Sequence, residues 1–295
     1  MTGLALSALP ARRAGARAPG WLRRAPRSML LYAVLGGHAV LTLFPFAWVL
    51  ANSFRDNDAI LTSVRLLPES LQPGNYLQVL RATNIPRAFF NSVSITLGSL
   101  LVLLAVAAPL SFVLARFRFR AARAVYVLFG LAVLVPGVSV LPMTFRLFNA
   151  LGLLGTKYGI CLVYATEQLP ITVFLLVAFM RAIPAELDEA AVIDGATVWD
   201  VFVRVVLPLS RNGLVTVVIL AFVAVWNDYL TALILLPDAA NRTLSVALAY
   251  AKDEYRVDYG VMAAAIVVAS LPMLAAYLVL KDRLTTGLAA GAVKG

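Results

Sequence analysis

Apolar runs of about 20 residues recur along this chain, and nothing else in it limits the fold as tightly. A helix of that length spans the hydrocarbon core of a bilayer, and lipid tolerates no unpaired backbone N–H or C=O. The runs fall near residues 29–50, 88–115, 124–145, 158–180, 213–236 and 259–280. Composition agrees, with 61% hydrophobic and only 14% charged residues and a mean hydropathy of +0.87. Soluble domains carry about 25% charged residues, so a single soluble core is excluded. The expected fold is an all-α membrane protein with six transmembrane helices over residues 29–280.

The net charge of +10 sits before and between the runs, which is topology information and not a nucleic-acid footprint. Six spans put both termini on one side, and that side holds sixteen of the 25 lysines and arginines. The positive-inside bias therefore places both termini, and the polar break at residues 184–208, in the cytoplasm. Residues 1–28 hold six arginines and no acid, and read as a disordered basic tail. Val49-Leu50-Ala51 resembles a signal-peptidase site, but the preceding run is long for a signal peptide, so an uncleaved anchor is expected. Residues 281–295 read as a small-residue cytoplasmic tail. Cys161 is the single cysteine, so no disulfide forms within the chain.

Loops are expected at 52–87, with Pro-centred turns at Pro68 and Pro73-Gly74, at 146–157 and at 237–258. Two acids fall inside spans, Glu167 and Asp228. Each costs about 2.5–3.5 kcal/mol at the bilayer centre, so both should face protein or a wet cavity. Trp226, Asn227, Asp228 and Thr231 suit either the polar wall of a wet cavity or an interhelical hydrogen-bond cluster; Asn227, Asp228 and Thr231 share helical spacing. Glu167, beside Pro170, either lines a translocation path or satisfies backbone groups freed by the kink. His38 reads as a packed or hydrogen-bonded histidine, and the Tyr250–Tyr259 loop with Asp253, Glu254 and Asp258 as exposed.

The break at 184–208 carries five of the fifteen acids and reads as two short helices. Glu186, Asp188 and Glu189 suit the opening turn of the first, where the helix dipole favours negative charge. Gly195 suits its left-handed end. Thr197-Val-Trp-Asp200 has the form of a capping box. Trp199, Phe202, Val203 and Val206 then form an expected apolar face at i, i+3, i+4 and i+7. Helices that lie on anionic membranes carry basic polar faces, whereas this one is acidic, so a protein partner is favoured over lipid.

Glu189-Ala190-Ala191, then Gly195, then Val205-x-Leu207-Pro208 resembles the EAA loop of ABC importer permeases. Ile193-Asp194-Gly195-Ala196, Asn91-Ser92, Leu114-Ala115-Arg116-Phe117 and Trp226-Asn227-Asp228 are similar to the carbohydrate branch of that family, and Gly291–Gly295 to the tail of the second permease subunit of maltose-type importers. The resemblance implies that Glu189, Ala190, Ala191, Asp194, Gly195, Leu207 and Pro208 couple the permease to an ABC ATPase, homodimeric or heterodimeric, which binds ATP and Mg. It also implies a second, non-identical permease subunit, an extracytoplasmic sugar-binding protein, and the bacterial inner membrane as location. By the same resemblance, residues 52–87 and the Tyr250–Tyr259 loop contact the binding protein, and the C-terminal tail reaches the ATPase.

No phosphate loop, nucleophile motif or metal-ligand spacing occurs in the sequence, so neither a cofactor in this chain nor an enzyme activity of its own is expected. The rival reading is a proton-coupled secondary transporter using Asp228 or Glu167. Such transporters commonly contain internal repeats, and none is evident between residues 29–145 and 158–280.

Overall fold

The computed structural model describes residues 20–63, 65, 70–82, 84–254 and 258–292, excepting the side chains of 20–28, 82, 251–254 and 280–292. Among these residues every regular element is helical. Four helices are long and apolar enough to cross a membrane, or up to six if each of two bent pairs is one span.

The chain divides into two compact units, Met1–Trp48 and Val49–Gly295. In the first, helix α1 (Gly20–Asn52) begins within the expected tail, and residues 1–19 lie outside the described residues. Its apolar side chains, including Met29, Tyr32, Leu41 and Phe46, are exposed, and so is His38, which is therefore not packed within its own unit.

The second unit is built on α4 (Ile85–Arg116) and α7 (Lys157–Arg181), which lie side by side, with α11 (Arg211–Asn227) against both. Leu103, Ala107, Val173, Leu176, Val177 and Val217 fill this three-helix core. Gly213 lets α11 approach closely, since a Cβ there would lie 2.5 Å from Phe179 Cγ. Phe90, Leu97 and Leu101 project from the other side of α4.

Two expected spans are not single helices. The third is α5 (Ala122–Ala132) followed by α6 (Gly137–Ala150), bent by 102°. Pro136, extended at φ −64 and ψ 124, supplies no N–H and breaks the ladder, whereas Pro142 lies inside α6. The fifth ends at Asn227, because Asp228 is extended (φ −64, ψ 133), and a short helix α12 (Leu230–Leu235) restarts beyond it.

The expected loops also contain helices. Residues 52–87 form α2 (Asn57–Thr62) and α3 (Gly74–Ala82), and Pro68 lies outside the described residues. Buried Arg55 organises this segment by donating to Asn52 Oδ1 and to the carbonyls of Ala59, Ser63 and Arg65. Asn75 Nδ2 donates to the carbonyls of Ser53 and Arg55. Residues 237–258 form α13 (Leu244–Glu254), where Arg242 lies 3.9 Å over the Tyr250 ring; the side chains of Asp253 and Glu254 lie outside the described residues. The final helix, α14, continues from Tyr259 to Ala292, so the expected C-terminal tail is helical up to that point; residues 293–295 lie outside the described residues.

The ends of α4 are tied down differently. At its start, Asn91 Nδ2 donates to the carbonyls of Ala240 (2.9 Å) and Arg242 (3.0 Å), and Ser92 Oγ accepts from Leu244 N. At its finish, it meets the polar knuckle.

Candidate functional site

The knuckle begins with α8 (Glu186–Ile193), which has Glu186, Asp188 and Glu189 in its first turn. Gly195 follows at φ +86, the left-handed conformation that the sequence requires of it. The capping box forms: Thr197 N–H donates to Asp200 Oδ2 at 3.1 Å, and Asp200 N–H donates to Thr197 Oγ1 at 3.2 Å. The Thr197 hydroxyl and N–H, both donating to Asp200 Oδ2, and more weakly Arg204, hold the Asp200 carboxyl below its ordinary pKa.

The second knuckle helix departs from the expected face. It runs through α9 (Val198–Asp200), a π-helical turn at Val201–Val206, and α10 (Leu207–Leu209). A π turn adds a residue to the local period, so the i, i+3, i+4, i+7 stripe does not hold. Val201, Phe202 and Val206 are buried, while Trp199 and Val203 are exposed.

Those buried residues fasten the knuckle to the bundle. They pack with Ala108, Phe112 and Met180, and the rings of Phe112 and Phe202 lie 5.1 Å apart. Arg116, at the end of α4, adds a polar clasp: its Nε lies 2.7 Å from Asp188 Oδ2, and Nη1 donates to Ile183 O. Arg181 Nη2 donates to Leu114 O nearby. The sequence marked Leu114–Phe117 only as part of a motif; the charge at Arg116 opposite an acidic helix was the signal available.

The opposite face of the knuckle is open. Glu189, Ala190, Asp194, Gly195 and Pro208 are exposed, and Ala191 and Leu207 are partly buried against the bundle. Beside the exposed acids stand Leu187, Val192, Ile193, Val198 and Trp199, with Ile193 86% exposed. An exposed apolar patch with an acidic border is the form of a protein-docking surface.

The second candidate cluster is divided by the break at Asp228. Tyr164 Oη donates to Asp228 Oδ1 at 2.7 Å, and Ala232 N–H donates to the same oxygen at 3.1 Å. Thr231 Oγ1 donates to Asp228 Oδ2 at 3.2 Å. The carboxylate thus caps α12 and joins it to α7. Asn227 is not in this group; it is exposed, and its Nδ2 donates to Val223 O. Trp226 is buried between Phe89, edge-on at 6.0 Å, and Phe222, stacked at 5.8 Å, so its ring is not free to stack on a sugar. Tyr164, which the sequence reading missed, is the buried partner of Asp228; no local pattern could connect residues 64 positions apart.

Glu167 lies one turn along α7 from Tyr164, on a cavity of ≈ 520 Å³ at the bend between α5 and α6. Thr144, Thr166 and Gln168 share its lining. Among the described residues, no group of three or more His, Cys, Asp or Glu side chains is placed to hold a metal.

This architecture defines a helical integral membrane protein with a packed, partly exposed knuckle at one end. Residues 107–288 match the family model described as "Binding-protein-dependent transport system inner membrane component". The chain belongs to that family, and is a permease subunit of an ABC importer of the inner membrane. It is 35% identical over 263 residues to the diacetylchitobiose uptake system permease protein NgcG of Streptomyces coelicolor, covering 88% of this chain and 87% of that one. It is 33% identical over 278 residues to the trehalose transport system permease protein SugB of Mycobacterium tuberculosis, covering 92% and 99%. Among solved structures, a bacterial ABC transporter involved in import of the acidic polysaccharide alginate shares the fold, with a TM-score of 0.81 at 22% identity over 88% of this chain and 97% of that one.

Proposed function

We propose that this chain forms half of the translocation path for a sugar or sugar-like solute, paired with a second, non-identical permease subunit. The observation that carries the reading is the two-sided knuckle, with one face packed on α4 and α7 and the other exposed and acidic. A displacement applied to the open face reaches the spans because Phe202, Val206 and the Arg116–Asp188 pair leave little slack. A separate ABC ATPase, binding ATP and Mg, takes the open face through Glu189, Ala190, Asp194 and Gly195, while Ala191 behind them packs on the bundle. Leu207 and Pro208 lead from it into α11.

Both termini and the knuckle lie in the cytoplasm in this reading, and the opposite end meets an extracytoplasmic binding protein. Closure of the ATPase draws the knuckles together and opens the path outward; hydrolysis resets it. The named relatives support a sugar as solute, since NgcG and SugB carry diacetylchitobiose and trehalose in their names. Within this chain the path runs past the Glu167 cavity, and Asp228 and Thr231 shape its wall by holding the break. This chain carries no ATPase site of its own.

The test is uptake and ATP hydrolysis by the reconstituted assembly. Glu189→Lys should leave the chain in the membrane and hydrolysis running while abolishing sugar-stimulated uptake. Wild-type uptake by this variant would sink the coupling role. A panel of sugars, scored by stimulation of ATP hydrolysis, identifies the solute.

A further inference from the structure

A pocket of ≈ 810 Å³ opens between the end of α4, the start of α5 and the end of α7, and four arginines line it: Arg116, Arg118, Arg123 and Arg181. Two are committed to the fold. Arg116 binds Asp188 and the Ile183 carbonyl, although its Nη2 is buried without a hydrogen-bond partner. Arg181 donates to Leu114 O, and its guanidinium lies 4.9 Å over the Tyr126 ring. Arg118 and Arg123 are exposed and have no carboxylate partner among the described residues.

Helix α5 adds to this field. Its N-cap, Ala121, makes no side-chain hydrogen bond, and its first turn contains no acid. The Ala122 N–H already donates to Phe119 O, and the positive end of the α5 dipole adds a smaller attraction for an anion. Two free guanidinium groups and the start of α5 therefore converge on one pocket.

The same pocket has an apolar side. Phe117, Phe119 and Val127 line it, and all three are exposed. Exposed Leu131 continues the face one turn beyond Val127 along α5. A soluble phosphate would use only the basic part; an acidic protein surface would have no use for an apolar track that runs into the membrane-spanning helix.

We propose that this pocket binds an anionic phospholipid. Its phosphate sits between Arg118, Arg123 and the start of α5, and its acyl chains lie along Val127 and Leu131. The inference rests on the membrane placement that family membership gives, and is independent of what docks on the knuckle.

The test uses the purified transporter and native mass spectrometry with phosphatidylglycerol or phosphatidylcholine. Each basic residue contributes about 1 kcal/mol to attraction of an anionic lipid, or roughly fivefold in affinity. The Arg118→Gln/Arg123→Gln double variant should therefore bind its tightest phosphatidylglycerol roughly 25-fold more weakly. Arg118→Lys/Arg123→Lys should restore most of that affinity, and Arg146→Gln, away from the pocket, should change nothing. Phosphatidylcholine binding should not respond.

Equal phosphatidylglycerol affinity in the Gln variant overturns the proposal. Displacement of that lipid by an equal concentration of glycerol phosphate overturns it in favour of a free phosphate. Loss of a partner subunit with an unchanged lipid count overturns it in favour of a protein interface. Uptake is not the readout, so failure here and failure of the coupling role remain distinguishable.

Discussion

The knuckle at residues 184–208 and the break at Asp228 both interrupt a helical membrane protein with polar residues, yet they are held by different means. The knuckle is made of local devices: an acidic first turn, a left-handed Gly195, and the Thr197–Asp200 box. The break adds to its local bonds, from Thr231 Oγ1 and the Ala232 N–H, an interhelical bond from Tyr164 of α7 to Asp228 at the end of α11. A locally encoded element can keep its shape while it moves as a unit; one held by a partner helix fixes the relative position of two helices. In the proposed function, that difference suits the first to receiving a displacement and the second to shaping the path wall.

The largest expected effect breaks the comparison at Asp228. Asp228→Leu leaves the Tyr164 hydroxyl and the Ala232 N–H without their acceptor, at about 1–3 kcal/mol for each orphaned group. Thermal unfolding in detergent should show a large loss of stability, whereas Asp228→Asn, which keeps a carbonyl acceptor, should lose much less and still transport. A stable Asp228→Asn variant with no uptake would instead restore a proton-carrying role for the carboxylate.

Next in size, Gly195→Val forces a β-branched residue to positive φ, a strain of about 1–3 kcal/mol confined to the knuckle. Uptake should fall roughly tenfold or more, with membrane insertion unchanged. Full uptake would show that the bend between the two short helices is dispensable. Arg116→Ala leaves Asp188 beside the bundle without its cation, and should cost about 1–3 kcal/mol. Limited proteolysis should then cut the knuckle sooner while cutting near Asp228 is unchanged; knuckle protection equal to that of the unsubstituted chain would remove the clasp from the coupling path.

The smallest effect is Thr197→Ala, at about 1 kcal/mol for a lost N-cap. The capping box also carries a pH dependence. Because the Asp200 carboxyl is held below its ordinary pKa, its contribution is complete above the unfolded carboxylate range, near pH 4, and is lost as pH falls through the lower folded value. Hydrogen exchange of the knuckle amides should therefore be flat between pH 5 and 8, after correction for intrinsic rates, and rise only in acid. In Thr197→Ala that acid step should shrink.

The sequence located the knuckle but not the break, since it reads residues 213–236 as one continuous span with Asp228 inside it. Glycine at a helix end and Thr-x-x-Asp have nearly one geometric meaning each, so Gly195 and the capping box could be placed residue by residue. The apolar face of the second knuckle helix could not, because the π turn at Val201–Val206, whose residues pack on Phe112 and Met180, leaves no periodic signal of its own. Trp226, Asn227 and Asp228 are consecutive in sequence, yet one is buried in aromatic packing, one is exposed, and one accepts a bond from another helix.

By itself, then, the sequence determined a helical membrane protein, its family, and a structured acidic knuckle. The first and last follow from run length, charge placement and local capping, and the family from the resemblance of short motifs, all carried by neighbouring residues. Only the tertiary structure decided that Pro136 turns the chain by 102°, that Arg116 clasps the knuckle, and that Tyr164 holds the break at Asp228. Such contacts join residues far apart in the chain, and their partners are chosen by how helices pack.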